Sequence, residues 1–225
     1  MAELISNLRL EAVRANLAHI RGEIAAALRR SPVASGPREV ELLAAVKYLS
    51  ADQLPLLAEA GITLLGENRA QELQEKVSAH GELFEWDFIG QLQSRRVRLI
   101  VPHVRLIHSV ASDSALRELE RHLELARPGL RILVEVNVAA EPGKAGVAPA
   151  ELDDFIARSP VPVAGLMTMP PLAAEADQNR RWFAALRELA AERGLEHLSM
   201  GTSQDYVVAV EEGATIVRIG TKLYN

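Results

Sequence analysis

The feature that most constrains this chain is its alternation. Short apolar runs at 41–47, 62–65, 85–89, 104–110, 131–138, 161–167, 197–200 and 215–219 are mostly followed by segments of helical periodicity, at 51–60, 69–79, 112–126, 150–157, 177–193 and 204–211. Runs this short, rich in Val, Leu and Ile and bounded by Gly, Pro, Asn or Asp, read as buried strands. Strand-then-helix order forces parallel strands joined by helical crossovers. Eight such units within 225 residues predict a closed (β/α)8 TIM barrel, one domain spanning 1–225, with the eighth strand meeting the chain end. An open doubly wound sheet is the alternative, but no Gly-x-Gly-x-x-Gly turn follows the first strand. Ahead of the barrel, Leu4, Leu8, Val13, Leu17, Ile20, Ile24 and Leu28 recur at helical spacing. They predict an extra N-terminal helix with one buried face, ended by the breaker-rich stretch 31–37.

Composition removes several function classes. Hydrophobic residues make up 48% and charged residues 24%, which excludes a disordered chain. The net charge of -5 lacks the basic footprint that a phosphate backbone requires, so nucleic acid is not expected as a partner. With no cysteine, disulfides, iron–sulfur clusters and thiol nucleophiles are excluded. The six histidines show no metal-ligand spacing and no Walker-type Gly-x-x-x-x-Gly-Lys occurs, so no metal site is predicted. No basic leader with an apolar core opens the chain, and no run approaches the ~18 apolar residues of a spanning helix. A cytosolic location is the resulting expectation.

In a barrel of this kind ligands bind at the carboxyl ends of the strands, often with a phosphate after strands seven and eight. Lys47 ends the first apolar run, after Leu42-Leu43-Ala44-Ala45-Val46. Desolvation favours the neutral form of an amine, and a neutral amine forms a Schiff base with an aldehyde. A lysine whose stem packs on apolar neighbours while its head reaches water fits the same pattern. After the seventh run comes Ser199-Met200-Gly201-Thr202-Ser203-Gln204-Asp205, and after the eighth Arg218-Ile219-Gly220-Thr221. Ser203 is placed to N-cap the helix at 204–211, where a hydroxyl and free backbone N–H groups can hold a phosphate. Gly220 beside Thr221 is either a second ligand loop or a plain turn. Asn68 reads as a helix cap, and Arg95, Arg96 and Arg98 read as a solvated helix face. Leu133, Glu135 and Asn137 share a strand face that favours a buried polar network, and Lys144 lies in a Pro- and Gly-containing loop, 139–147.

Taken together and in order, these motifs resemble the pyridoxal phosphate homeostasis protein family, single-barrel relatives of the N-terminal domain of alanine racemase. The resemblance runs nearly the full length. It includes Gly66-Glu67-Asn68-Arg69, Phe88-Ile89-Gly90-Gln91-Leu92-Gln93-Ser94, Val136-Asn137-Val138 with Lys144-Ala145-Gly146, Gly165-Leu166-Met167 with Met169-Pro170, and the segments around Ser203 and Arg218. It implies a fold of the type III class of pyridoxal 5'-phosphate (PLP) proteins and a Schiff base between Lys47 and PLP. Ser203, Gly220 and Thr221 would hold the phosphate, Arg218 would face the pyridine nitrogen, and Asn68 and Met200 would line the cofactor. An arginine has no labile proton to give, so the ring nitrogen would stay unprotonated, a weak electron sink that disfavours carbanion chemistry.

The functional expectation is a PLP-holding protein in intracellular cofactor homeostasis, not an efficient enzyme. It would have PLP-requiring apo-enzymes as acceptors and would be a monomer or weak dimer. Lys144 is a possible relay for release. The alternative is a PLP-dependent amino-acid racemase, which in two-base form needs a tyrosine from a second, β-rich domain; the barrel pattern here runs to Asn225. The sequence departs from the family pattern at Tyr48, where a small or hydroxyl residue is expected, at Gln91, where histidine is common, at Arg95-Arg96, and at Thr202. Tyr48 and Gln91 bear on the shape and polarity of the outer pocket.

Overall fold

The computed structural model describes residues 5–33 and 39–224; Leu4, most of the breaker-rich stretch after the first helix, and Asn225 lie outside them. Eight parallel strands close into a barrel in sequence order: β1 (Glu41–Ala45), β2 (Leu64–Glu67), β3 (Glu85–Phe88), β4 (Leu106–Val110), β5 (Arg131–Glu135), β6 (Val163–Met167), β7 (His197–Thr202) and β8 (Ile216–Ile219). β1 pairs with both β2 and β8, which completes the ring. The crossovers carry α2 (Leu54–Glu59), α3 (Ala70–His80), α4 (Val97–Ile100), α5 (Asp113–Arg121), α6 (Leu152–Ala157), α7 (Arg180–Ala191) and α8 (Tyr206–Glu211). The (β/α)8 expectation holds, with local differences. Four residues are about one helical turn, too short to show a period, so α4 escaped the pattern. β8 does not simply meet the chain end but turns into α9 (Thr221–Tyr224).

The added N-terminal helix is α1 (Leu10–Arg30), buried along Val13, Leu17, Ile20, Ile24 and Ala27. It packs against α8 and α9, and Asn16 Nδ2 donates to Leu223 O at 3.2 Å. α1 therefore backs the last unit of the barrel, the one that carries Arg218, Gly220 and Thr221.

Strand alternation divides the core in two. Ala44, Val46, Leu65, Ile107, Leu198 and Met200 belong to the large cluster between strands and helices. Leu43, Leu64, Leu106, Leu133, Met167 and Ile216 form a separate cluster inside the barrel. The inward positions also carry Asp87, His108, Ser199 and Arg218, all buried. Buried polar side chains need partners, and these find one another.

Candidate functional site

β1 ends at Ala45, so Lys47 sits in the following turn and is half-buried. That turn is held from several sides. Ile5 N–H donates to Tyr48 O at 2.9 Å, and Val46 N–H to Gly66 O at 3.0 Å. Buried Lys76 Nζ donates to Val46 O at 2.9 Å and pairs closely with buried Glu67. The other Glu67 oxygen accepts the N–H groups of Asn68 (2.6 Å) and Arg69 (3.1 Å). One buried ion pair thus fixes the backbone after two neighbouring strands, next to Lys47 and at Asn68. Lys47 Nζ lies 4.8 Å from the centre of the Tyr48 ring and makes no hydrogen bond or ion pair among the described residues.

The loops after β7 and β8, the second of which adjoins the end of β1, are joined by one hydroxyl. Ser203 Oγ accepts Gly220 N–H at 3.1 Å and Lys222 N–H at 3.5 Å. Ser203 is not the N-cap predicted for α8. Asp205 occupies that position, and its Oδ1 accepts Thr202 N–H at 2.7 Å and Thr202 Oγ1–H at 3.0 Å. The reason is Gly201 at φ +92°, where an added Cβ would meet Ala209 Cβ at 2.6 Å; the tight turn delays the helix by two residues. Freed from capping, Ser203 faces the β8 loop. The N–H groups of Ser203 and Gln204 make no hydrogen bond among the described residues. α9 is pinned beneath by Tyr224, whose hydroxyl donates to Ala45 O at 3.3 Å and whose burial pushes its pKa up.

Arg218 forms the floor. It is buried and makes no salt bridge among the described residues. Its Nη1 donates to Ser199 O (2.9 Å) and Oγ (2.6 Å), and its Nη2 to Thr168 O (3.0 Å) and Met169 Sδ (3.0 Å). All four Nη hydrogens are spent, which leaves Nε–H as the uncommitted donor. Burial pulls the guanidinium pKa down to about 10, opposed by the charges of Asp205 and Glu135; it remains a cation at neutral pH.

Between these walls lies a cleft of about 470 Å³, bordered by Lys47, Asn68, Ser203, Arg218, Gly220 and Thr221. That volume is ordinary for small-molecule sites, about 300–1,000 Å³. Among the described residues its wall carries no carboxylate and no imidazole.

Residues 8–225 match the family model "Alanine racemase, N-terminal domain". The chain is 40% identical over 200 residues to the pyridoxal phosphate homeostasis protein of Aquifex aeolicus, covering 84% of this chain and 88% of that one. It belongs to the pyridoxal phosphate homeostasis protein family. The homologue from Escherichia coli K12, of the same name, is 34% identical over 224 residues, covering 93% and 94%. Among solved structures, PipY of Synechococcus elongatus PCC7942 with PLP bound superposes with a TM-score of 0.78 at 33% identity, covering 95% of this chain and all of that one. Alanine racemase from Bartonella henselae shares the fold, with a TM-score of 0.71 at 15% identity over 61% of its length.

Six of the seven residues that the family resemblance singles out border one cleft. Met200 does not. It is fully buried in the strand–helix core, because its neighbour Ser199 points inward and alternation turns Met200 outward. Asn68 is no helix cap: Arg69 holds that position in α3, and Asn68 Oδ1 is buried without a partner among the described residues. Tyr48, Gln91 and Thr202 all border the cleft. Asn137 exchanges hydrogen bonds with the Glu141 backbone and closes the loop after β5. Lys144 pairs with the Glu141 carboxylate and does not border the cleft. Glu135 is buried with its pKa raised by desolvation, against the pull of Arg218 and Lys144. Arg95 and Arg98 are exposed, as a solvated face requires. Among the described residues no cluster of three or more metal-ligating side chains occurs, and no helix is long and apolar enough to cross a membrane.

The residues not singled out from sequence are Glu67 with Lys76, and Asp87, His108 and Ser199. Each is a polar side chain within or at the end of an apolar run, or on an otherwise buried helix face. That is the available signal, but it names no partner.

Proposed function

We propose that this member of the family holds PLP reversibly in the cleft, with Lys47 as the attachment point, and releases it to PLP-requiring apo-enzymes. The observation that carries the reading is complementarity. One cleft brings together a primary amine and a guanidinium Nε–H, neither with a competing partner among the described residues, and a donor-rich cup of two loops. A phosphate dianion needs several converging donors, and the hydroxyls of Ser203 and Thr221 with the N–H groups of Ser203 and Gln204 supply them. An unprotonated pyridine nitrogen needs one donor, and Arg218 Nε–H supplies it. The buried Asn68 Oδ1, without a partner among the described residues, is an acceptor available to a ligand in the same cleft. When bound, PLP supplies an aldehyde that a lysine amine captures as a Schiff base and that a second amine can take over.

Holding is favoured over turnover by the chain's own residues. Proton transfer to both faces of a substrate carbon needs two bases. The ionisable groups bordering the cleft are Lys47, Tyr48 and Arg218, and the Tyr48 ring stacks against Lys47. Tyr206 and Tyr224 are occupied, by Glu23 and by Ala45 O. The names of the Aquifex and Escherichia relatives, homeostasis proteins, agree with a carrier.

Titration of the purified protein with PLP, followed by visible absorbance and equilibrium dialysis, tests the reading. A yellow complex that survives dialysis is expected. A protein that stays colourless and retains no PLP overturns the proposal.

A further inference from the structure

A file of buried polar side chains crosses the barrel beneath the cleft, and its chemistry dictates the direction of every hydrogen bond. Arg218 can only donate, so Ser199 Oγ accepts from Nη1 at 2.6 Å. The single Ser199 O–H is then free for His108 Nδ1, 2.8 Å away, which makes Nδ1 the acceptor. His108 Nε2 lies 3.1 Å from Asp87 Oδ2, so Nε2 carries the proton. Asp87 also accepts from Arg105 Nε (2.9 Å) and Nη2 (3.1 Å). Arg105 in turn donates to both oxygens of Glu41, at 2.8 and 2.7 Å, towards the amino-terminal end of the barrel.

The two arginines at the ends fix the imidazole between them as the neutral Nε2–H tautomer. The other tautomer would set Nδ1–H against the Ser199 hydroxyl and a lone pair against the Asp87 carboxylate. His108 is fully buried, and burial keeps its pKa below the usual histidine value, consistent with a neutral ring. Asp87 and Ser199 are likewise fully buried, so water cannot take the place of a missing partner. Removing any member leaves its neighbours unsatisfied.

The consequence falls on Arg218. Ser199 takes both hydrogens of Nη1, while Thr168 O and Met169 Sδ take those of Nη2. We propose that Asp87, His108 and Ser199 are positioning residues for Arg218, holding its Nη groups so that Nε–H alone is offered to a ring nitrogen bound in the cleft. This rests on the PLP reading above and adds which residues set the contact to the ring.

The test uses the full chain and two probes: PLP, and a PLP analogue with carbon in place of the ring nitrogen. The wild type is expected to prefer PLP. Ser199→Ala removes one oxygen, and is expected to weaken PLP binding about tenfold while leaving the analogue's affinity unchanged, so that the preference collapses. His108→Leu is expected to do the same if it folds; Ser199→Ala keeps the test open if it does not. Long-range ¹H–¹⁵N spectra of histidine-labelled protein without PLP read the file directly. Nδ1 of His108 is expected bare and Nε2 protonated at neutral pH. A protonated Nδ1, a wild type that binds PLP without preferring it, or a Ser199→Ala protein that keeps the full preference overturns the inference while leaving the PLP reading intact. A wild type that binds neither probe overturns both.

Discussion

Ser203 Oγ accepts the backbone N–H of Gly220 at 3.1 Å, so a single hydroxyl joins the loop after β7 to the loop after β8. The same hydroxyl has its own hydrogen to give. Ser203→Ala therefore removes a tie between loops as well as a donor to a phosphate, whereas Thr221→Val removes only a donor. Each is expected to weaken PLP retention by about 1.5–3 kcal/mol, the range for hydrogen bonds to charged groups. Ser203→Ala is also expected to lower the thermal midpoint of the cofactor-free protein. Equilibrium dialysis and thermal unfolding check the pair; unchanged PLP affinity in both variants and in the double mutant would place the phosphate elsewhere.

The Glu67–Lys76 pair is buried and feeds backbone groups flanking Lys47 and Asn68. Breaking a buried pair by removing one partner strands the other charge. Lys76→Met is expected to cost about 3–5 kcal/mol in chemical denaturation. The double variant Glu67→Gln/Lys76→Met is expected to recover part of that. A single variant within about 0.5 kcal/mol of wild type, the scale of surface substitutions, would show that the pair does not hold the turn.

His103, His108 and His197 all have pKa values lowered chiefly by burial. Their folded values lie below the unfolded 6.5, so the unfolded chain takes up protons first as pH falls. The stability they contribute is present above about pH 6.5 and is lost below it. Glu135 works in the opposite direction, since its raised pKa favours the folded state as pH falls. Urea midpoints measured from about pH 7.5 to about pH 5.5 should decline in the wild type, and less in His108→Gln, with the fully buried His108 the largest contributor. Equal slopes in the two proteins would contradict this assignment.

The barrel was legible because its signal is repeated. Alternating strands and helices leave few topologies, and the missing α4 and α9 are too short to carry a period. Lys47, Asn68, Arg218, Gly220 and Thr221 were legible through ordered motifs, each at a strand's carboxyl end. The place of Met200 in the strand–helix core is not legible, because strand register decides which of two neighbours faces inward and Ser199-Met200 offers no clue to it. Spacing points to Ser203 as the cap because it cannot show that Gly201 tightens the turn and moves the cap to Asp205. The file beneath Arg218 was illegible for a different reason: His108 is 21 residues from Asp87 and 91 from Ser199, and only the closed barrel joins them.

Two kinds of force are available to hold PLP, one covalent and one not. Lys47 offers one reversible bond, while the Ser203 and Thr221 loops offer several charge-assisted hydrogen bonds that do not depend on it. Lys47→Ala is therefore expected to lose the visible absorbance of the complex yet to retain PLP in equilibrium dialysis with reduced affinity. No detectable binding would show that the covalent bond dominates.

The central claim is that Lys47 is the attachment point, and borohydride reduction followed by peptide mass spectrometry tests it most directly. Protein incubated with PLP and reduced should carry one pyridoxyl-phosphate mass on the peptide containing Lys47, and the Lys47→Ala protein should carry none there. Label confined to another lysine, such as Lys76, Lys144 or Lys222, or no label on a protein that binds PLP, would contradict the account.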